Sequence, residues 1–115
     1  MLITGGASGI GKLMAKKCCA LGSTVVIWDV NEEFLKNTVS ELTGTGGKIH
    51  AYKVDITDYE KVYETARQVK KDVGASVDVL VNNAGVVIGR NVLNTSEREI
   101  MLTMNVNTTS HFWTV

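Results

Sequence analysis

The chain has 115 residues, 44% of them hydrophobic, and its 12 lysines and arginines are balanced by 12 aspartates and glutamates. That is enough for one domain with a modest core, while the cancelled charge and the lack of long like-charge runs argue against a nucleic-acid or membrane-surface binder. No apolar run approaches the ~18 residues that span a bilayer, no charged segment leads into an apolar one as in an export signal, and the adjacent Cys18 and Cys19 suit neither a disulfide framework nor a zinc quartet.

In chain order, Leu2-Ile3 is shorter than a usual buried strand and runs straight into a glycine-rich turn, so the chain is expected to begin inside its first strand. From Gly9 to Leu21 the residues Ile10, Leu13, Met14, Cys18 and Leu21 recur at helical spacing, and Gly22 supplies a stop. Thr24-Val25-Val26-Ile27-Trp28 is a β-branched run ending at Asp29, which reads as a strand covered on both faces. Asn31 can cap a second helix with apolar positions Phe34, Leu35, Val39 and Leu42, and Gly44, Gly46 and Gly47 break it. Lys48 to Val54 is a weaker, alternating strand, expected near a sheet edge. Thr57 and Glu60 have capping-box spacing ahead of a third helix carrying Val62, Ala66, Val69 and Val73, which ends at Gly74. Val77 to Val81 reads as a fourth strand, followed by Asn82-Asn83-Ala84-Gly85 and a loop. A second capping box, Ser96 with Glu99, opens a long helix whose core is expected to hold Ile100, Met101, Met104, Phe112 and Trp113. Strand and helix alternate without internal repeat, which predicts an α/β fold with a parallel sheet and right-handed crossovers.

The turn Gly5-Gly6-Ala7-Ser8-Gly9-Ile10-Gly11-Lys12 admits three readings. A P-loop has the right glycine and lysine spacing but needs Ser or Thr where Leu13 stands, and a leucine cannot ligate magnesium. The ordinary Rossmann spacing, with glycines at first, third and sixth places, is the second and is not present, and a plain glycine-rich strand-to-helix loop stands beside all three as the bland alternative. The third is a dinucleotide turn with Gly5, Gly9 and Gly11, where glycines admit the pyrophosphate and the helix N-terminus offers unpaired N–H groups with positive potential. Asp29, eighteen residues beyond Gly11 at a strand end, favours this third reading. Its carboxylate can accept both adenosine ribose hydroxyls and would repel a 2′-phosphate, which predicts NAD rather than NADP.

Taken together, Thr4 to Gly11, Asp55-Ile56 and Asn82-Asn83-Ala84-Gly85 resemble, in order, three signatures of the short-chain dehydrogenase/reductase family, over the whole chain, which with Asp29 implies a Rossmann-type doubly wound parallel sheet of strand order 3-2-1-4 with later strands missing. The resemblance implies cofactor contacts from Gly5, Ser8, Gly9, Ile10, Gly11 and Asp29. It implies further that Asp55 bonds the adenine amino group beside Ile56, and that the loop from Asn82 through Ala84 and Gly85 shapes the cofactor floor. Members that prefer NADP often carry a basic residue where this chain has Ser8. Independently of the family, Asn82 can serve as a tie between strand ends. Val106-Asn107 ahead of Phe112 resembles the catalytic helix asparagine, which makes Asn107 the expected holder of a proton-relay water. His50 and His111 have no partner placed by spacing and are expected to be packing or surface residues.

Trp28-Asp29-Val30-Asn31 and the closing His111-Phe112-Trp113-Thr114 resemble the branch of retinol and 17β-hydroxysteroid dehydrogenases, which implies a lipophilic alcohol or ketone substrate. The family's Tyr-x-x-x-Lys pair is not found: Tyr52, Tyr59 and Tyr63 are followed four places on by Ile56, Tyr63 and Arg67. The chain is therefore expected to be the N-terminal dinucleotide-binding part, residues 1–115, of a single domain truncated at both ends, inactive by itself and without a metal. The family further implies a homo-oligomer at full length, with membrane association resting on an absent N-terminus and a location in the cytoplasm or at the endoplasmic reticulum or lipid-droplet surface. A dinucleotide-binding regulator without catalysis is the alternative, and a fragment without a stable fold is a third.

Overall fold

In the strands β1 (Leu2–Thr4) and β2 (Thr24–Asp29) successive side chains point to opposite faces, and both faces are covered, so that Val25, Val26, Ile27 and Trp28 are all buried. The computed structural model describes all 115 residues. Leu2, Val26 and Trp28 pack with Val62 and Val69 of helix α3 (Tyr59–Val73). Ile3, Val25 and Ile27 pack on the other face with Ala15 and Cys19 of α1 (Gly9–Ala20) and Leu35 and Leu42 of α2 (Glu32–Leu42). Each fully buried aliphatic side chain here contributes about 1.5–3 kcal/mol. β1 lies between β2 and β4 (Leu80–Val81), and β2 pairs with β3 (Lys48–Lys53), all in parallel, so the sheet order is β3-β2-β1-β4 as the family resemblance implies. β3 occupies an edge, in keeping with its weaker hydrophobicity.

Several local expectations are corrected. α1 turns Gly11, Ala15 and Cys19 inward at four-residue spacing, while Ile10, Leu13 and Leu21 stand exposed. Small residues win this face because the helix lies close against the β1 end, where the carbonyl of Gly5 leaves no room beside Gly11. α3 is capped by Asp58, which accepts from the Lys61 N–H at 3.0 Å, and the Thr57 hydroxyl instead donates to Asp55. β4 has two residues rather than five, because its single neighbour β1 is itself only three residues long. The long C-terminal helix is three pieces: α4 (Glu97–Met104), a π turn (Asn105–Thr109) in which the Ser110 N–H donates to the Asn105 carbonyl, and α5 (His111–Thr114). Both halves of the Ser96–Glu99 capping box form. Ile100, Met101, Met104 and Phe112 are exposed, and Val106, Ser110 and Trp113 carry the packing. A helix with apolar residues all round gives no unique inward face from periodicity alone.

Tyr52 of β3 donates to the Asp72 carboxylate of α3 at 2.8 Å. Partial burial, then Asp72, pushes the phenol up to about 12, above its ordinary 10. Because the folded state favours the protonated phenol, its contribution is whole below pH 10 and is lost as pH rises from about 10 to 12. Unfolding titrations should therefore show a steeper alkaline loss of stability in the wild type than in Tyr52→Phe; parallel curves would dissociate the phenol from that loss.

Candidate functional site

The sheet order reverses between β1 and β4, and α/β sheets bind ligands outside the carboxyl ends of their strands at such a point. A cleft of about 570 Å³ opens there, within the range of small-molecule sites. It brings together Gly5, Ser8, Gly9, Ile10, Asp29, Asp55, Ile56, Ala84 and Gly85 from the carboxyl ends of all four strands. Gly11, Asn82, Asn107, His50 and His111 do not line it.

The glycine turn leaves β1 and enters α1 with its helix N-terminus uncapped: Ser8, exposed and extended at the cap position, makes no side-chain bond. The N–H groups of Gly9, Ile10 and Gly11 have no acceptor in the protein, and no acidic residue sits in the first turn. Unpaired N–H groups and the helix dipole make this end a seat for an anion. Gly9 (φ +49°) has open space where a side chain would stand, so a ligand can approach the main chain, whereas a Cβ on Gly11 would strike the Gly5 carbonyl and the Asn83 amide. One glycine serves approach and the other serves packing.

Thr4 and Asn83 lash the two strand ends together. The buried Thr4 hydroxyl accepts from the N–H groups of Asn83 (3.0 Å) and Ala84 (3.1 Å), and the Asn83 side-chain amide donates to the carbonyls of Thr4 (3.0 Å) and Gly5 (3.1 Å). Asn83, not the expected Asn82, is thus the tie between strand ends. Asn82 faces the other way and accepts from the Thr114 hydroxyl at 2.8 Å. The parallel pairing of Ile3 with Val81 settles which asparagine looks toward the turn, and that register is not readable from the motif.

The two carboxylates are pre-set by main-chain donors. Asp29 accepts from Ala7 (3.2 Å) and Asn31 (3.0 Å), and Asp55 accepts from the N–H (2.9 Å) and hydroxyl (2.7 Å) of Thr57. Ile56 is buried, and its carbonyl accepts from the indole N–H of Trp113 at 2.6 Å. Asn107, in the π turn, uses its side-chain amide on both main-chain groups of Val86, accepting and donating at 2.8 Å, which holds the loop after Gly85. Leu102 of α4 and Val106 of the π turn add an apolar wall that motif reasoning missed, because only folding brings these segments over the cleft. No three His, Cys, Asp or Glu side chains gather as a metal site.

A doubly wound sheet with an uncapped glycine-rich helix start and a carboxylate at the end of β2 defines a Rossmann-type α/β protein. The sequence profile of the short chain dehydrogenase family matches residues 1–115, so the chain belongs to that family of oxidoreductases. It is 41% identical over 114 residues to human estradiol 17-beta-dehydrogenase 11, covering 99% of this chain and 38% of that protein. Against human epidermal retinol dehydrogenase 2 it is 41% identical over 115 residues, covering 99% and 37%. The chain thus spans under two fifths of the length of these curated relatives. Among solved structures, apo LigD from Sphingobium superposes with a TM-score of 0.91 at 32% identity, covering 96% of this chain and 47% of that one. NAD+-bound xylitol dehydrogenase superposes with 0.91 at 27% identity, covering 98% and 44%.

Proposed function

We propose that residues 1–115 form the cofactor-binding part of an oxidoreductase that moves a hydride between NAD and a lipophilic alcohol or ketone. The observation that carries this reading is the uncapped start of α1 facing a cleft whose far wall presents Asp29 and Asp55. The nicotinamide, when bound, supplies the hydride acceptor or donor. The N–H groups at Gly9, Ile10 and Gly11 receive the pyrophosphate, with Gly5 and Ser8 shaping its approach. Asp29 accepts the ribose hydroxyls and selects against a 2′-phosphate, and Asp55 accepts the adenine amino group. Ile56 and Val106 flank the base, while Ala84 and Gly85 form the floor that Asn82 and Asn83 hold in place. Asn107 keeps one N–H and one lone pair beyond its two bonds to Val86, enough to hold a proton-relay water. A lipophilic substrate is supported by the relatives, which are named for estradiol and retinol.

The natural-length protein should oxidise a lipophilic secondary or allylic alcohol with NAD, seen as reduced-nicotinamide absorbance, and more slowly with NADP. NAD binding without turnover on any alcohol or ketone of that class would leave a regulatory module instead. Absence of binding to either dinucleotide would overturn the reading entirely.

A further inference from the structure

Thr38 lies in the middle of α2, fully buried, and belongs to no signature of the glycine turn. A Ser or Thr hydroxyl within or at the end of a helix can turn back to the carbonyl four residues earlier, as Thr103 does at Glu99 inside α4 and as Thr43 and Ser110 do at helix ends with Val39 and Val106. Thr38 instead donates out of its helix to the carbonyl of Ala7 at 3.2 Å. No main-chain N–H takes that carbonyl, and Ala7 itself is buried. The preceding peptide is held from β2: the Ala7 N–H donates to Asp29, and the Gly6 N–H donates to the Trp28 carbonyl at 3.2 Å. The centre of the turn is therefore clamped by α2 on one side and by the end of β2 on the other, one residue before the cap of α1.

We infer that Thr38 is a positioning residue for dinucleotide binding: through the Ala7 carbonyl it sets the path by which Ser8 and Gly9 present the free N–H groups of α1 to the pyrophosphate. This rests on the dinucleotide reading above. An aliphatic residue of the same shape would fill the core equally well, so packing alone does not call for the hydroxyl. Without it, the buried Ala7 carbonyl has no partner and the turn gains freedom to rotate toward one.

The test compares Thr38→Val, Thr38→Ser and Thr38→Ala in the natural-length protein, titrated with NAD and with adenosine, which reaches Asp29 and Asp55 but not the N–H groups of α1. Thr38→Val should weaken NAD about five- to tenfold while adenosine binds as in the wild type, and Thr38→Ser should restore NAD affinity. If the valine variant does not fold, the alanine variant takes its place against the same serine rescue. NAD affinity within twofold of wild type in the hydroxyl-free variant, or equal losses for NAD and adenosine, would overturn the role of Thr38 while leaving the dinucleotide site intact. A wild-type protein that binds neither ligand removes both readings together.

Discussion

Gly11→Ala is expected to unfold at lower denaturant, losing about 2–3 kcal/mol, and to bind NAD about a hundredfold more weakly than the wild type. The added methyl would overlap the Gly5 carbonyl and come within 2.6 Å of the Asn83 amide nitrogen. Both are main-chain or tightly bonded groups, since Asn83 is committed to Thr4 and Gly5, so neither can swing aside as the end of a flexible side chain would. Relief requires moving the start of α1 away from β1 and β4. That shift would displace the N–H groups proposed to receive the pyrophosphate, and weakening several hydrogen bonds to a charged group together costs about that much affinity. Gly9→Ala is the informative contrast. It meets no atom within 4 Å, so it carries only the strain of a side chain at φ +49° and leaves the packing intact. Calorimetric titration of both variants, beside urea unfolding, separates approach from packing. Equal unfolding midpoints for Gly11→Ala and the wild type would show that the close contact with Gly5 is not maintained in solution.

Asp29→Ala should reduce NAD affinity about ten- to a hundredfold and NADP affinity by markedly less. Two effects add for NAD. On the proposed reading the ribose hydroxyls would lose a charged acceptor, and the Ala7 N–H loses its partner at 3.2 Å, which loosens the turn for any dinucleotide. For NADP the second loss remains, but the repulsion between carboxylate and 2′-phosphate is relieved. The ratio of the two affinities therefore isolates the ribose contact from the bracing of the turn. A ratio unchanged from wild type would assign Asp29 to bracing alone and withdraw it from cofactor choice. The Asn31 N–H also bonds Asp29, so the variant should be checked by circular dichroism for fraying at the start of α2.

Local chemistry was legible along the chain wherever it depended on neighbours in sequence. The strand-to-helix alternation marked a parallel sheet, Asn31 capped α2 through Phe34, Gly74 closed α3 with φ +70°, and Ser96 with Glu99 opened α4. Spacing alone also excluded a P-loop at Leu13 and marked Asp29 as the carboxylate beside the turn. These features rest on a few bonds between residues close in the chain, and such bonds leave a pattern in composition.

What only the tertiary structure decided were the contacts between distant segments. The register of β1 against β4 turned Asn83, not Asn82, toward the glycine turn, and the closeness of α1 to the sheet turned Ala15 and Cys19 inward in place of Leu13. The π turn divided the last helix, aiming Asn107 at Val86 and Trp113 at Ile56. Thr38 reached Ala7 across thirty-one residues. None of these has a signature in spacing, because each depends on where two elements meet in the packed layers and on which polar group is left without a partner there. The sequence by itself determined the succession of parallel strands and helices and the chemistry of the turn; the packing determined which side chains hold that turn in shape.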